Sequence, residues 1–80
     1  SRVGEIKGTF KGYEGYTPIL TSCYCSNSYY VAIINSWITG SYSSSSNGYT
    51  WHIDARNFAS SDITADFSIK ILWIKSNLFG

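Results

Sequence analysis

The sequence predicts an all-β fold, a small antiparallel β-sandwich of jelly-roll-like type with about five or six strands. Three observations carry this. Several stretches alternate apolar and polar residues with period two, the mark of strands with one buried face. Aromatic residues reach 18% of the chain, and the apolar runs are rich in β-branched side chains, which fit a pleated surface better than a helix. No segment has a capped, sustained period of 3.6, so no helix is expected.

The clearest strand is 63–75, ITADFSIKILWIK. Ile63, Ala65, Phe67, Ile69, Ile71 and Trp73 share one face, and Thr64, Asp66, Ser68 and Lys70 share the other until Leu72 and Ile74 turn that face apolar. The late switch implies cover on both sides, from a loop or from another copy of the chain. Residues 1–16 carry Gly4, Gly8, Gly12 and Gly15, and glycine at this density weakens a strand. They read as a Gly-rich connector with a first short strand at 5–10, leaving 17–80 as the sandwich proper. Residues 17–25 form a strand with Pro18 at its start, where no ladder donor is needed, and Asn27-Ser28 turns the chain.

Residues 29–39, YYVAIINSWIT, are the strongest strand. Tyr29, Val31, Ile33 and Trp37 fall on one face; Tyr30, Ala32, Ile34 and Ile38 fall on the other. Apolar residues on both faces place this strand centrally or leave one face for a partner. Residues 40–48 are a polar loop closed by the Asn47-Gly48 turn signal, and its four-serine run is expected to be mobile. Residues 49–57 alternate cleanly, with Tyr49, Trp51, Ile53 and Ala55 inward and Thr50, His52, Asp54 and Arg56 outward. The segment FASSD is then expected to turn this strand back on the last one as a hairpin. Setting Ile53 opposite Ile69 and Ala55 opposite Phe67 puts Arg56 opposite Asp66. A two-residue slide would instead face Asp54 with Asp66, so the first register is preferred.

Length and charge bound the function. Eighty residues make one domain with a thin stability margin. A net charge of +1 without a basic run speaks against nucleic acid, and no apolar stretch is long enough for membrane insertion. The opening SRVGEIKG lacks the apolar region of a signal peptide, so the chain is intracellular or a fragment of a longer protein. Its low charge favours the fragment, because part of so small a surface would then normally be covered. Cys23 and Cys25, two apart on a strand, have Cα atoms about 6.5–7 Å apart, at or beyond disulfide reach, so both are expected as reduced, half-buried thiols suited to a cytosol.

Chemistry is sparse. His52 is the single histidine, with Asp54 two residues away on the same face. None of the serines sits in a G-x-S-x-G elbow, and no metal, cofactor or phosphate motif is present. A non-enzymatic chain is expected. Binding has more support, since seven tyrosines, three tryptophans and many serines suit neutral ligands or protein interfaces. Tyr42, Asn47 and Tyr49, in and beside the serine loop, are candidate ligand contacts, with His52 beside them. Tyr30, Ile34, Trp37, Leu72, Trp73 and Ile74 are candidate subunit-interface residues, because they exceed what one small core needs.

The series YYVAIINSWITG, an NG turn, TWHIDARN and ITADFSIKILWIKSNLF resembles the C-terminal domains of bacteriophage tail fibres, appendages and related receptor-binding proteins. The resemblance covers about residues 28–79 and rests on strand pattern and terminal wording. It implies a homotrimer at the tip of a fibre in the virion, made in the bacterial cytosol. The Gly-rich start would be the entry from an upstream fibre shaft. The partner would be a host cell-surface polysaccharide or teichoic acid. Some members of this class act as self-cleaving folding chaperones, but the nucleophile pattern for that role is not present. A monomeric carbohydrate-binding module, with a row of exposed aromatics, is the alternative. A hydrolytic or self-cleaving domain using His52 is a second, and it requires a serine or aspartate against the ring in a concave pocket.

Overall fold

The computed structural model describes residues 2–79. Five strands follow in order: β1 (Arg2–Phe10), β2 (Tyr16–Cys25), β3 (Val31–Gly40), β4 (Tyr49–Asn57) and β5 (Phe67–Lys75), with a short 3-10 helix at Ser76–Phe79. They make two antiparallel sheets, β1-β4-β3 and β2-β5. The all-β class and the sandwich-like layering expected from the alternation are therefore present.

The connectivity differs from the expected hairpin. β4 is the centre of its sheet, with β1 on one side and β3 on the other, while β5 pairs with β2. Arg56 lies opposite Val3 and Ala32, and Asp54 lies opposite Glu5 and Asn35. The reason lies at the start of the last strand, which begins at Phe67 rather than at Ile63. The connection therefore runs over 58–66, too long for a tight hairpin and long enough to cross between sheets. At its end Asp66 is tied to the end of β2: Ser26 N donates to the Asp66 carbonyl, and Asp66 N donates to Ser26 Oγ at 2.9 Å.

β3 also departs from expectation. Of the two placements expected for it, central or with one face left for a partner, the first does not hold: it is an edge strand of its sheet, and its register slips between Ile33 and Asn35. A bulge gives one strand an extra residue and inverts the facing of everything beyond it. Val31 and Ile33 thus share the inner face with Ser36 and Ile38, while Trp37 turns outward, opposite His52. A similar slip at Thr21 in β2 keeps Pro18, Leu20, Cys23 and Cys25 on the inner side, facing Trp73, Ile71, Ile69 and Phe67.

β1 is a full edge strand rather than a short one, and two of its neighbourhood's glycines are packing sites. A Cβ on Gly8 would stand 2.6 Å from Cζ2 of Trp51, its cross-strand partner, and one on Gly12 would strike the Tyr49 ring. The indole and phenol rings lie over bare backbone there, filling space that side chains would take. Gly40, at φ +100°, adopts the left-handed conformation that lets β3 enter the serine loop.

The core is thin. Phe10 stacks on Tyr49 at 5.5 Å, and Trp73 meets Phe10, Tyr13 and Tyr49 edge-on at 6.1, 4.8 and 6.3 Å, joining the two sheets at one end. Such pairs contribute about 0.5–1.5 kcal/mol each beyond area burial. Ile53, at 0% exposure, fills the middle, and Ala55 and Cys25 lie buried beyond it. At the far end the sheets part over a cleft of about 520 Å³. Trp73, a candidate subunit-interface residue, packs half-buried in the protomer's own aromatic cluster. Tyr30, Ile34 and Leu72 are exposed, and Ile74 is half-buried.

Candidate functional site

Residues opposite one another across β1, β4 and β3 form rows on the outer face of the larger sheet. Thr9, Thr50 and Thr39 make one row, Lys7, His52 and Trp37 the next, and Glu5, Asp54 and Asn35 the third. Alternation along β1 and β4, corrected by the bulge in β3, sends all nine side chains outward. Charge on this face is balanced, with Glu5 and Asp54 against Lys7 and Arg56.

His52 is the hub. Its ring stacks on the Trp37 indole at 4.8 Å and 3°. Nε2 is 2.8 Å from the Thr39 hydroxyl. With Thr39 donating to Nε2, the ring proton sits on Nδ1, toward the Glu5 carboxylate, whose Oε1 is 3.5 Å away. Nδ1 is buried and makes no hydrogen bond at that distance, so Glu5 acts on it as a charge. The cluster ties β1, β4 and β3 together across the sheet.

Hydroxyl, imidazole and carboxylate in that order repeat the sequence of groups in a hydrolase triad. The hydroxyl is a threonine rather than the serine or aspartate that the hydrolytic reading requires. The cluster stands on the outer face of the sheet, and none of Thr39, His52 and Glu5 lines the cleft, which opens on the inner face. Among the described residues, no three His, Cys, Asp or Glu side chains gather as a metal site would need. His52's partners escaped the sequence reading, which offered Asp54. Glu5 comes from a strand far away in sequence, and Trp37 and Thr39 reach this face only through the bulge.

The four candidate ligand residues divide. Asn47 donates from Nδ2 to Thr9 Oγ1 at 3.4 Å, which places it at the threonine end of the same outer face as His52. Tyr42 lies instead beside Gly12, near the aromatic core. Tyr49 is buried between Phe10 and Trp73, in line with its inward phase. The serine loop, expected to be loose, is closed by Ser41 N donating to the Gly48 carbonyl at 3.2 Å, and Ser43 Oγ accepts from Ser45 N and Ser46 Oγ.

Cys23 and Cys25 are free thiols, the first half-buried and the second buried. Burial, and then the neighbouring Cys25, push the Cys23 thiol above the ordinary cysteine range. Cys25 Sγ accepts a 3.4 Å hydrogen bond from Asn27 N at the turn into β3.

No protein-family model, characterised protein or solved structure matches the chain.

Proposed function

We propose that the chain is a non-enzymatic tip domain of a bacteriophage tail fibre or appendage, which assembles as a homotrimer and meets a host-surface glycan. The phage assignment rests on the wording of residues 28–79. The assembly rests on one observation, an exposed apolar patch on the outer face of the smaller sheet, beside Ser68 and Lys70. Ile19 and Leu72 lie directly opposite each other there, at 36% and 52% exposure, with Ile74 next to them. Covering about 600 Å² of apolar surface per chain would contribute up to roughly 15 kcal/mol before association costs, a large term against a domain this small.

The two sheets then divide the work. The outer face of β2-β5 faces other copies. The polar outer face of β1-β4-β3, with its threonines, Asn35, Asp54 and the Trp37–His52 stack, faces the receptor. Hydroxyl, amide and carboxylate groups around an aromatic suit sugar hydroxyls. Balanced charge suits a neutral polysaccharide better than polyanionic teichoic acid.

Light scattering tests the assembly: three chain masses at micromolar concentration are expected, and a stable folded monomer overturns it. A glycan-array screen tests the receptor. Asn35→Ala is expected to abolish a wild-type signal, whereas Tyr42→Ala is expected to leave it. A monomer that binds glycans through Tyr13, Tyr24 or Tyr29, all exposed, would favour a stand-alone carbohydrate-binding module.

A further inference from the structure

The trimer reading has a geometric consequence, and the inference below rests on that reading. Three-fold symmetry contains no two-fold contact, so each copy must offer two different surfaces that fit one another. The chain carries two different surfaces that expose apolar side chains. One is the ridge of Ile19, Leu72 and Ile74 on the outer side of β2-β5. The other is the cleft where the sheets part, where Val3, Ile6, Val31, Ile63 and Phe67 stand together with Arg56, Asn57 and Thr64. Its rim is exposed, with Val3 at 58%, and the Cβ direction of Gly4 meets no atom within 4 Å.

We propose that the ridge of one copy seats in the cleft of the next, closing a head-to-tail ring. Two related observations favour a second copy as the occupant. The chain exposes 5470 Å², against about 4800 Å² for a compact monomer of its mass. That surplus approaches the share of one partner in a standard interface, about 800 Å². The radius of gyration is 14.8 Å where a compact domain of this length would have about 12 Å, and extents of 47 × 23 × 16 Å make the protomer long and narrow, with much surface for its volume. Lys70 lies beside Leu72 on the ridge face and Arg56 lines the cleft, so apolar contact rather than charge must hold the two surfaces together.

Gly4→Glu blocks the cleft and Leu72→Glu blocks the ridge. Both positions are exposed, so both variants are expected to keep the wild-type circular dichroism. Ile63→Glu and Ile19→Glu replace either one that does not. With wild type at three chain masses by light scattering, each variant alone is expected at one. A tagged Gly4→Glu chain is expected to capture untagged Leu72→Glu, because its intact ridge meets the other's intact cleft, and not to capture untagged Gly4→Glu. A variant that stays trimeric alone, or two variants that ignore each other, overturns the ridge-in-cleft contact while leaving the trimer standing. A monomeric wild type overturns both.

Discussion

At the scale of single residues, the most constrained position is Gly8. The Trp51 indole occupies the space where its side chain would be, and Trp51 is held in the sheet by pairing on both sides. Gly8→Ala is expected to destabilise the domain by about 1–3 kcal/mol, the usual range for overpacking, despite the better strand propensity of alanine. Urea denaturation followed by tryptophan fluorescence measures it, and an unchanged midpoint would mean that the indole moves aside freely. Thr39 is a second such position. Thr39→Val keeps the shape and leaves His52 Nε2 without its protein partner, for an expected loss of about 1 kcal/mol. Cys23 gives a prediction in pH. Its thiol ionises less readily folded than unfolded, so at a given alkaline pH it carries less thiolate than a free cysteine. Iodoacetamide should label it more slowly in the native protein than in urea, and Cys25→Ser should narrow the gap. The linkage has a definite sign: this thiol's contribution to stability is complete below the ordinary cysteine range and declines as pH rises through its folded value.

At the scale of elements, the strands expected over 17–25, 29–39 and 49–57 lie within two residues of those found, because alternation and turn chemistry are local signals. What was not legible was anything that depends on a partner strand. Reading Ile63–Asp66 as strand made the last connection look like a hairpin turn, since Ile63 and Ala65 keep the right phase without joining the ladder. The β3 bulge was hidden in the same way, for YYVAIINSWIT holds apolar residues at both phases and so fits a straight strand or a bulged one. The pairing of β1 with β4 joins segments far apart in the sequence with no local signal at all, and the Glu5–His52–Thr39 cluster depends on both. The bulge itself can be tested. Deleting Ile34 should let Asn35 take the regular place opposite Asp54, with Trp37 still opposite His52. The expected result is a folded protein whose near-UV circular dichroism, dominated by the stacked and edge-on rings, is nearly unchanged. Loss of that spectrum would show that the extra residue is needed for the sheet to twist.

At the scale of the whole molecule, the question is where an 80-residue chain finds its stability. One fully buried isoleucine, a cluster of four aromatics and two buried small residues make a poor core, and neither cysteine is in a disulfide. Association is one of the ways small domains without disulfides or metals make up such a difference. If neighbouring copies supply what the protomer lacks, unfolding is coupled to dissociation, and stability must depend on concentration. For a folded trimer in equilibrium with three unfolded chains, mass action makes a tenfold rise in protein concentration worth roughly two-thirds of 1.4 kcal/mol per chain, or about 0.9 kcal/mol. A domain of this size shifts its melting temperature by about 4–8 °C per kcal/mol, so thermal unfolding at 5-fold to 10-fold spaced concentrations should move by about 4–7 °C per decade. Leu72→Glu should both lower the melting temperature and flatten that dependence, because it removes the contact and leaves the protomer's own core intact. A melting temperature that stays fixed across concentrations for the wild type would mean that the protomer is stable alone, with the exposed Ile19–Leu72 pair serving some other contact.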